Sequence, residues 1–217
     1  GNARVTQVAK LDGGGLAVTF QHDGNECTER YDQVANILWH GRLEIDATMH
    51  VRPQHPWMYR YKCANRIFVP LTRDKIPSIT CALGPFGDIV NFLDKGLFLS
   101  WYPTGMIEVS HEVRPPEWER ELGVERRREI FQTSYAEWCK RCPLLESVSF
   151  GDDDVDTGGG VIFAWGSTGV DDQQSKLHER YEVGVRSTGN YHSVDTGKFT
   201  LAPFMGMKTA ERILGVS

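Results

Sequence analysis

The chain has 217 residues, of which 40% are hydrophobic and 24% are charged, enough for a sizeable buried core. Its 24 basic and 29 acidic side chains give a net charge of -5, which excludes the basic surface typical of nucleic-acid binding. No run of about 18 apolar residues is present, so the sequence predicts no membrane-spanning helix.

The five cysteines are scattered and odd in number, a pattern typical of reduced thiols, and they predict a cytoplasmic protein. Cys139 and Cys142 form a single CxxC, but no second pair or histidine stands at metal spacing, so no metal site is predicted. The chain starts Gly1-Asn2-Ala3 without an initiator Met or signal peptide, which indicates a removed tag and a natural N-terminus further upstream.

The first 48 residues predict a β-meander, a strand and a helix. Residues 5–10, residues 16–20 and a third run ending at Tyr31 alternate in polarity and are separated by glycine-containing turns. The apolar run at residues 34–38 favours a strand that is buried on both faces, as in a parallel sheet. A helix is expected over residues 42–48, after Gly41.

The middle of the chain predicts a mostly antiparallel sheet with helices packed on it. The expected strands are residues 59–70, 78–83, 88–92, 97–101 and 106–111. Pro115 and Pro116 predict the start of a helix, and Gly123 separates it from a second helix that ends before Pro143. In this second helix, Ile130, Ser134 and Trp138 lie on one stripe, which is expected to pack on the core.

Residues 151–160 are acidic and rich in glycine, and they predict a solvated loop, because the glutamate that completes a calcium-binding loop is missing. Strands are expected at residues 161–165, 180–185 and 191–195, with a turn at residues 166–172. A final helix is expected over residues 200–214. The predicted fold class is therefore α+β.

Residues 194–203 predict a strand, a turn at a glycine and the start of a helix. Unpaired backbone N–H groups at such a start suit an electron-rich edge, such as the carbonyl oxygens of a flavin ring. An ordinary strand-to-helix turn capped by Thr200 is the alternative interpretation.

Two segments carry a resemblance to a known family. The run from Val194 to Pro203 and the run from Tyr31 to Gly41 are similar to segments of the D-amino-acid oxidase-like superfamily of FAD-dependent oxidoreductases. A looser match is Leu177-His178-Glu179-Arg180, where that family often has an arginine near the flavin ring. The resemblance implies that one set of residues lies near the flavin: Leu38, Trp39, Gly41, Arg180, Thr196, Gly197, Lys198, Phe199 and Thr200.

The resemblance also implies a domain division. Residues 1–48 would be the remaining β-meander and strand of an FAD domain, residues 49–189 an antiparallel-sheet substrate domain, and residues 190–217 the returning strand and C-terminal helix. The sequence departs from the family because no GxGxxG follows a strand. We therefore expect that the N-terminal dinucleotide-binding segment is missing, and that this chain alone binds FAD poorly and is inactive.

In this family a small amine, amino acid or hydroxy acid gives up hydride to the flavin. A carboxylate-bearing substrate would need an arginine fork, for which Arg66 and Arg60 are candidates, with Tyr102, Tyr59 or Tyr61 as hydroxyl partners. We single out Arg66 and Tyr102 as candidate catalytic residues. The alternative hypothesis is a cofactor-free β-rich binding or structural module.

Overall fold

The computed structural model describes residues 2–71, 75–81, 87–118, 122–169 and 183–216. Their fold is of the predicted α+β class. The strands are β1 (Ala3–Lys10), β2 (Leu16–His22), β3 (Asn25–Tyr31), β4 (Val34–Asn36), β5 (Trp57–Ile67), β6 (Ile79–Cys81), β7 (Gly87–Asn91), β8 (Leu97–Trp101), β9 (Met106–Ser110), β10 (Val155–Trp165), β11 (Gly184–Thr188) and β12 (Tyr191–Asp195). The helices are α1 (Arg42–Thr48), α2 (Tyr102–Gly105), α3 (Val124–Arg141) and α4 (Ala202–Leu214). No helix in these ranges is both long and apolar enough to cross a membrane.

The N-terminal meander is confirmed: β1, β2 and β3 form a three-stranded antiparallel sheet. Helix α1 packs on it, as predicted for the residues after Gly41. The backbone N–H of Val8 donates to Thr48 Oγ1 at 3.0 Å, and Val8, Leu16 and Ile45 are buried together. Tertiary packing therefore attaches this meander to the strand and helix that follow it.

The large sheet is antiparallel, with the strand order β10-β5-β8-β7-β6 and β9 paired to β5. The predicted hairpin of β7 and β8 is confirmed. Strand β5 is central and pairs with β10 along all eleven residues of both strands. One face of β5 is the core face, on which Tyr59, Tyr61 and Ile67 are fully buried.

Helix α3 covers this core face with the predicted stripe of Ile130, Ser134 and Trp138, which are all buried. The Trp138 indole N–H donates to the carbonyl of Ser100 at 2.9 Å, which fixes the helix on β8. Residues 115–117 are not helical, so the prediction that a helix starts at Pro115 is wrong, and residues 119–121 lie outside the described residues. Trp118 packs on the ring of Tyr61, and the second predicted helix, α3, follows the extended backbone of Gly123.

The predicted loop over residues 151–160 is also wrong. Only a short 3-10 turn at Asp152–Asp154 precedes β10, and β10 includes the three glycines 158–160. A Cβ atom on Gly159 would lie 2.7 Å from Tyr61 Cζ, so a glycine is required for the strand to lie against this ring. Close packing against an aromatic ring therefore explains glycine inside the strand.

The third sheet has the order β11-β12-β4, and β4 is parallel to β12. The parallel pairing was predicted, but the predicted burial of residues 34–38 was wrong. Strand β4 ends at Asn36, and Ile37 is 67% exposed. The final helix is confirmed as α4, which starts at Ala202 after a 3-10 turn at Phe199–Leu201.

Candidate functional site

The two segments that carry the family resemblance lie at the same end of one sheet. Strands β4 and β12 are parallel, with Asn36 opposite Ser193. The segments that follow these strands, residues 37–41 and 196–200, therefore leave the sheet in the same direction. In sheets with parallel strands, ligands commonly bind at the carboxyl ends of the strands. We call these two runs the ring-facing segments, after the flavin ring that the family resemblance implies.

A buried polar network lies directly behind these segments. The Arg42 guanidinium donates to Asp46 and Asp195, at 3.1 Å in each case, and also to Ser193. Both carboxylates are at least nine-tenths buried. Buried charges are tolerated when they are paired and hydrogen-bonded, so this network fixes the relative position of α1 and β12.

The network extends to Asn36 and Tyr191. The Asn36 amide donates to Asp46 Oδ1 at 2.9 Å and to the carbonyl of Arg42, and the Tyr191 hydroxyl donates to Asp46 Oδ1 at 2.7 Å. Burial and the Asp46 carboxylate raise the pKa of Tyr191 well above its usual range. Tyr191 is therefore a neutral donor, and its fully buried side chain is fixed between β12 and α1.

The turn after β12 is formed by Thr196, Gly197 and Lys198. Gly197 has φ +62°, in the left-handed region that favours glycine. Its N–H donates to Asp195 Oδ1 at 2.7 Å, and the Lys198 N–H donates to the carbonyl of Thr196. The expectation of unpaired N–H groups is thus wrong for Gly197 and Lys198. A Thr200 cap is also ruled out, because Thr200 lies inside the 3-10 turn and Leu201 precedes α4 without a side-chain cap.

An apolar groove of about 700 Å³ lies between the ring-facing segments and α4. Trp39, Thr196 and Phe199 line it, together with Met205 and Ile213 of α4. The Phe199 side chain is 90% exposed, which is unusual for a phenylalanine unless another group covers it. The groove thus brings together three of the residues that the resemblance selected.

The remaining selected residues are distributed differently. Leu38 and Gly41 line a second cavity of about 810 Å³, next to the loop that contains Arg114. Lys198 and Thr200 are exposed to solvent. Arg180 lies outside the described residues.

The backbone of Trp39 is strained. Its φ of +48° lies in the left-handed region, which is uncommon for a bulky aromatic residue. The indole N–H donates to the carbonyl of Val161 on β10 at 3.4 Å, so the side chain bridges a ring-facing segment and the large sheet. Strained residues of this kind cluster at functional sites, and Trp39 is also one of the residues that line the groove.

The two candidate catalytic residues lie in different environments. Arg66 is exposed on β5, opposite Asp156 of β10. Tyr102 is half-buried at the start of α2 and lines a small cavity of about 210 Å³ with Arg60 and His111. Of the predicted arginines, Arg60 is therefore the one that shares a cavity with Tyr102.

Lys62 is a neighbour of Tyr102 that the sequence analysis missed. Its Nζ lies 3.2 Å from the centre of the Tyr102 ring, a cation–π contact. Burial is the main cause that lowers the pKa of Lys62 to about 8; Asp88 opposes this shift, and Arg60 adds a smaller contribution to it. Burial and Asp88 raise the pKa of Tyr102. The alternation of β5 could have identified Lys62, because it lies two residues from Arg60 on the same face of the strand.

No group of three or more histidine, cysteine, aspartate or glutamate side chains suited to a metal ion occurs in the part of the chain that the structure describes.

Comparison with known proteins gives structural matches alone. No family model matches the chain, and no curated protein matches it. L-proline dehydrogenase from P. horikoshii has a TM-score of 0.61 at 15% identity, and the match covers 99% of this chain and 50% of that one. For glycine oxidase from Geobacillus kaustophilus the TM-score is 0.59 at 12% identity, with 99% and 49% covered.

A third match is glycerol-3-phosphate dehydrogenase from Bacillus halodurans complexed with FAD, with a TM-score of 0.53 at 14% identity. It covers 99% of this chain and 39% of the dehydrogenase. The chain thus spans half or less of the length of these three structures. Within that span, it has the fold of FAD-dependent oxidoreductases.

Proposed function

We propose that this chain is part of an FAD-dependent oxidoreductase that takes hydride from a small amine, amino acid or hydroxy acid. The observation that carries this proposal is the meeting of the two ring-facing segments at the carboxyl ends of β4 and β12, beside an apolar groove. The matched oxidoreductases have the same fold over this span.

The residues around the groove fit the ring end of a flavin. Trp39 and Phe199 offer aromatic faces, and the Gly197 turn allows backbone to approach without a side chain. The motif that would bind the phosphates of FAD is not found in these 217 residues, because no GxGxxG occurs in the sequence. The bound FAD would supply the hydride acceptor, and the protein would orient the substrate and exclude water.

For the substrate, we propose the face of β5 that carries Arg60 and Lys62, with Tyr102 beside them. Two cations on one sheet face favour a substrate with a carboxylate, which a guanidinium binds through two parallel hydrogen bonds. Arg66 lies on the same face of β5 but further along the strand than Lys62. It would therefore contact only a longer substrate, or a substrate on its way into the site.

We also propose the division into an FAD-domain part (residues 1–48), a substrate domain and a returning C-terminal unit. Strand β11 pairs with β12 along five residues, so we assign it to the returning unit. The dinucleotide-binding segment would then come from sequence outside these 217 residues. All five cysteines are free thiols, which supports a cytoplasmic location.

Two observations test the proposal. The gene upstream of Ala3 should encode a strand, a GxGxxG and a helix, and the longer protein should show the visible absorbance of a bound oxidised flavin. The 217-residue chain alone should retain little FAD. A start codon directly before Ala3, or a folded longer protein that binds no flavin, would support the cofactor-free β-rich module instead.

A further inference from the structure

Arg42 and Asp195 connect the two ring-facing segments to each other. Arg42 directly follows the first segment, which ends at Gly41, and Asp195 directly precedes the second, which begins at Thr196. Arg42 Nη2 and Asp195 Oδ2 are 3.1 Å apart, and their side chains are 7% and 4% exposed. One buried ion pair thus links two segments separated by more than 150 residues of sequence.

Asp195 uses both of its oxygens. Oδ1 accepts the Gly197 N–H at 2.7 Å, and Oδ2 accepts the Trp165 indole N–H at 2.9 Å in addition to Arg42. The carboxylate is therefore attached to the turn, to α1 and to the end of β10. If the turn rotated, the Gly197 N–H would lose its acceptor, Asp195 Oδ1. If α1 shifted, the buried Asp195 carboxylate would lose its ion pair with Arg42.

Arg42 is equally constrained. Its guanidinium lies 5.3 Å from the centre of the Phe163 ring and 5.7 Å from that of Trp165. Asp46 and Ser193 accept its other N–H groups. The two rings pack on the same guanidinium that pairs with Asp195, so rigid groups contribute to the distance between the two segments.

We infer that Arg42 and Asp195 are a positioning pair that sets the spacing of the ring-facing segments and the direction of the Gly197 N–H. The effect on flavin binding rests on the proposed function, whereas the effect on the Gly197 turn does not. Neither residue lines the apolar groove. They act through Gly197 and through the backbone before α1, so they are positioning residues rather than catalytic ones.

The first experiment measures backbone amide exchange and chemical shifts by NMR in the 217-residue chain. In the wild type, the Gly197 amide should exchange about tenfold or more slowly than an open turn amide, because it is bonded to a carboxylate. Asp195→Asn should speed this exchange and shift amides in both ring-facing segments. The matched control is Ser193→Ala, which removes a network hydroxyl but leaves Asp195 and Gly197 in contact.

An unprotected Gly197 amide in the wild type would overturn the inference, even if Asp195→Asn fails to fold. Equal changes in Asp195→Asn and Ser193→Ala would also overturn it, since the network would then act only as general packing. Arg42→Lys retains the charge and should give smaller shifts than Arg42→Met. Equal shifts in these two variants would argue against an ion-pair role.

The second experiment measures the Kd for FAD in the longer protein. Asp195→Asn should raise this Kd by about tenfold or more, and Ser193→Ala should leave it within about twofold. An unchanged Kd in Asp195→Asn overturns the flavin part of the inference. A folded wild-type protein that binds no FAD overturns the proposed function, and the amide measurements then decide the positioning of the turn by themselves.

Discussion

Gly159 on β10 lies against the ring of Tyr61 on β5, so closely that a Cβ at position 159 would be 2.7 Å from Tyr61 Cζ and 2.8 Å from its hydroxyl oxygen. The same Cβ would lie 3.0 Å from Cys63 Sγ. Tyr61 is 1% exposed and packs on Trp118, so it has little room to move. The contact explains how a glycine run becomes the interior of a strand.

Gly159→Ala should therefore lower the free energy of unfolding by about 1–3 kcal/mol through overpacking. Gly158→Ala is the matched control, because a Cβ at position 158 meets nothing within 4 Å. The control should change stability by less than about 0.5 kcal/mol. Urea unfolding of both variants measures the difference, and equal stability would contradict the close packing at Gly159.

Trp39 gives a prediction about backbone strain. At φ +48°, glycine is unstrained and alanine is strained, while both replacements remove the indole. Trp39→Gly should therefore be more stable than Trp39→Ala by about 1 kcal/mol, the reverse of the order expected in a helix or strand. Thermal unfolding of the pair is the measurement. A more stable alanine variant would show that the left-handed conformation is not retained.

Lys62 predicts a pH dependence of stability. Burial lowers its pKa to about 8 in the folded protein from 10.5 in the unfolded chain, so between these values the unfolded state binds more protons. Stability should consequently rise with pH from about 8 upward, with a slope of at most about 1.4 kcal/mol per pH unit from this group. Below about pH 8 the burial cost of the charged form is fully present.

The measurement compares the urea midpoints of wild type and Lys62→Met between about pH 7 and pH 9.5, before the tyrosines titrate. The difference between the two proteins isolates Lys62. Wild type should gain stability relative to Lys62→Met as the pH rises. A constant difference across this range would show that Lys62 keeps its ordinary pKa.

Two variants of Gly197 separate the effect of backbone strain from the effect of a side chain placed close to the proposed flavin ring. Gly197→Val should reduce flavin retention in the longer protein and also lower stability, because a β-branched residue is strained at φ +62°. Gly197→Asn should keep the fold, since asparagine tolerates this conformation, and yet still lose flavin through its side chain. Absorbance of bound flavin and thermal unfolding are measured on both. Full flavin content in a folded variant would contradict the placement of this turn beside the ring.

Regular patterns in the sequence identified most of the strands and helices. The meander, the hairpin of β7 and β8, helix α1 and the buried stripe of α3 all follow from periodicity and turn residues. The failures at residues 115–118 and 151–160 have a common cause. Locally, the prolines predict a helix start and the glycines predict a loop, but both segments pack against a distant aromatic ring, that of Tyr61.

The candidate site was predictable only in part. The resemblance selected Trp39 and Gly197, but nothing local indicates that Arg42, Asp46 and Asp195 are buried together. Charged residues in a short helix and at a strand end normally face solvent. Their pairing depends on the parallel contact of β4 and β12, which becomes visible only when the chain is folded.

The pairing of β4 with β12 has a consequence for the order of synthesis. The Asn36 amide donates to the hydroxyl of Tyr191, and this bond can form only after Tyr191, 155 residues later, has been synthesised. Strand β4 and helix α1 therefore leave the ribosome long before their partner β12 is made, and the unit that they form with β12 can close only after that. Until then Asp46 has no access to Tyr191 or Ser193, so a segment that is made early depends on one made at least 145 residues later to complete its hydrogen bonds.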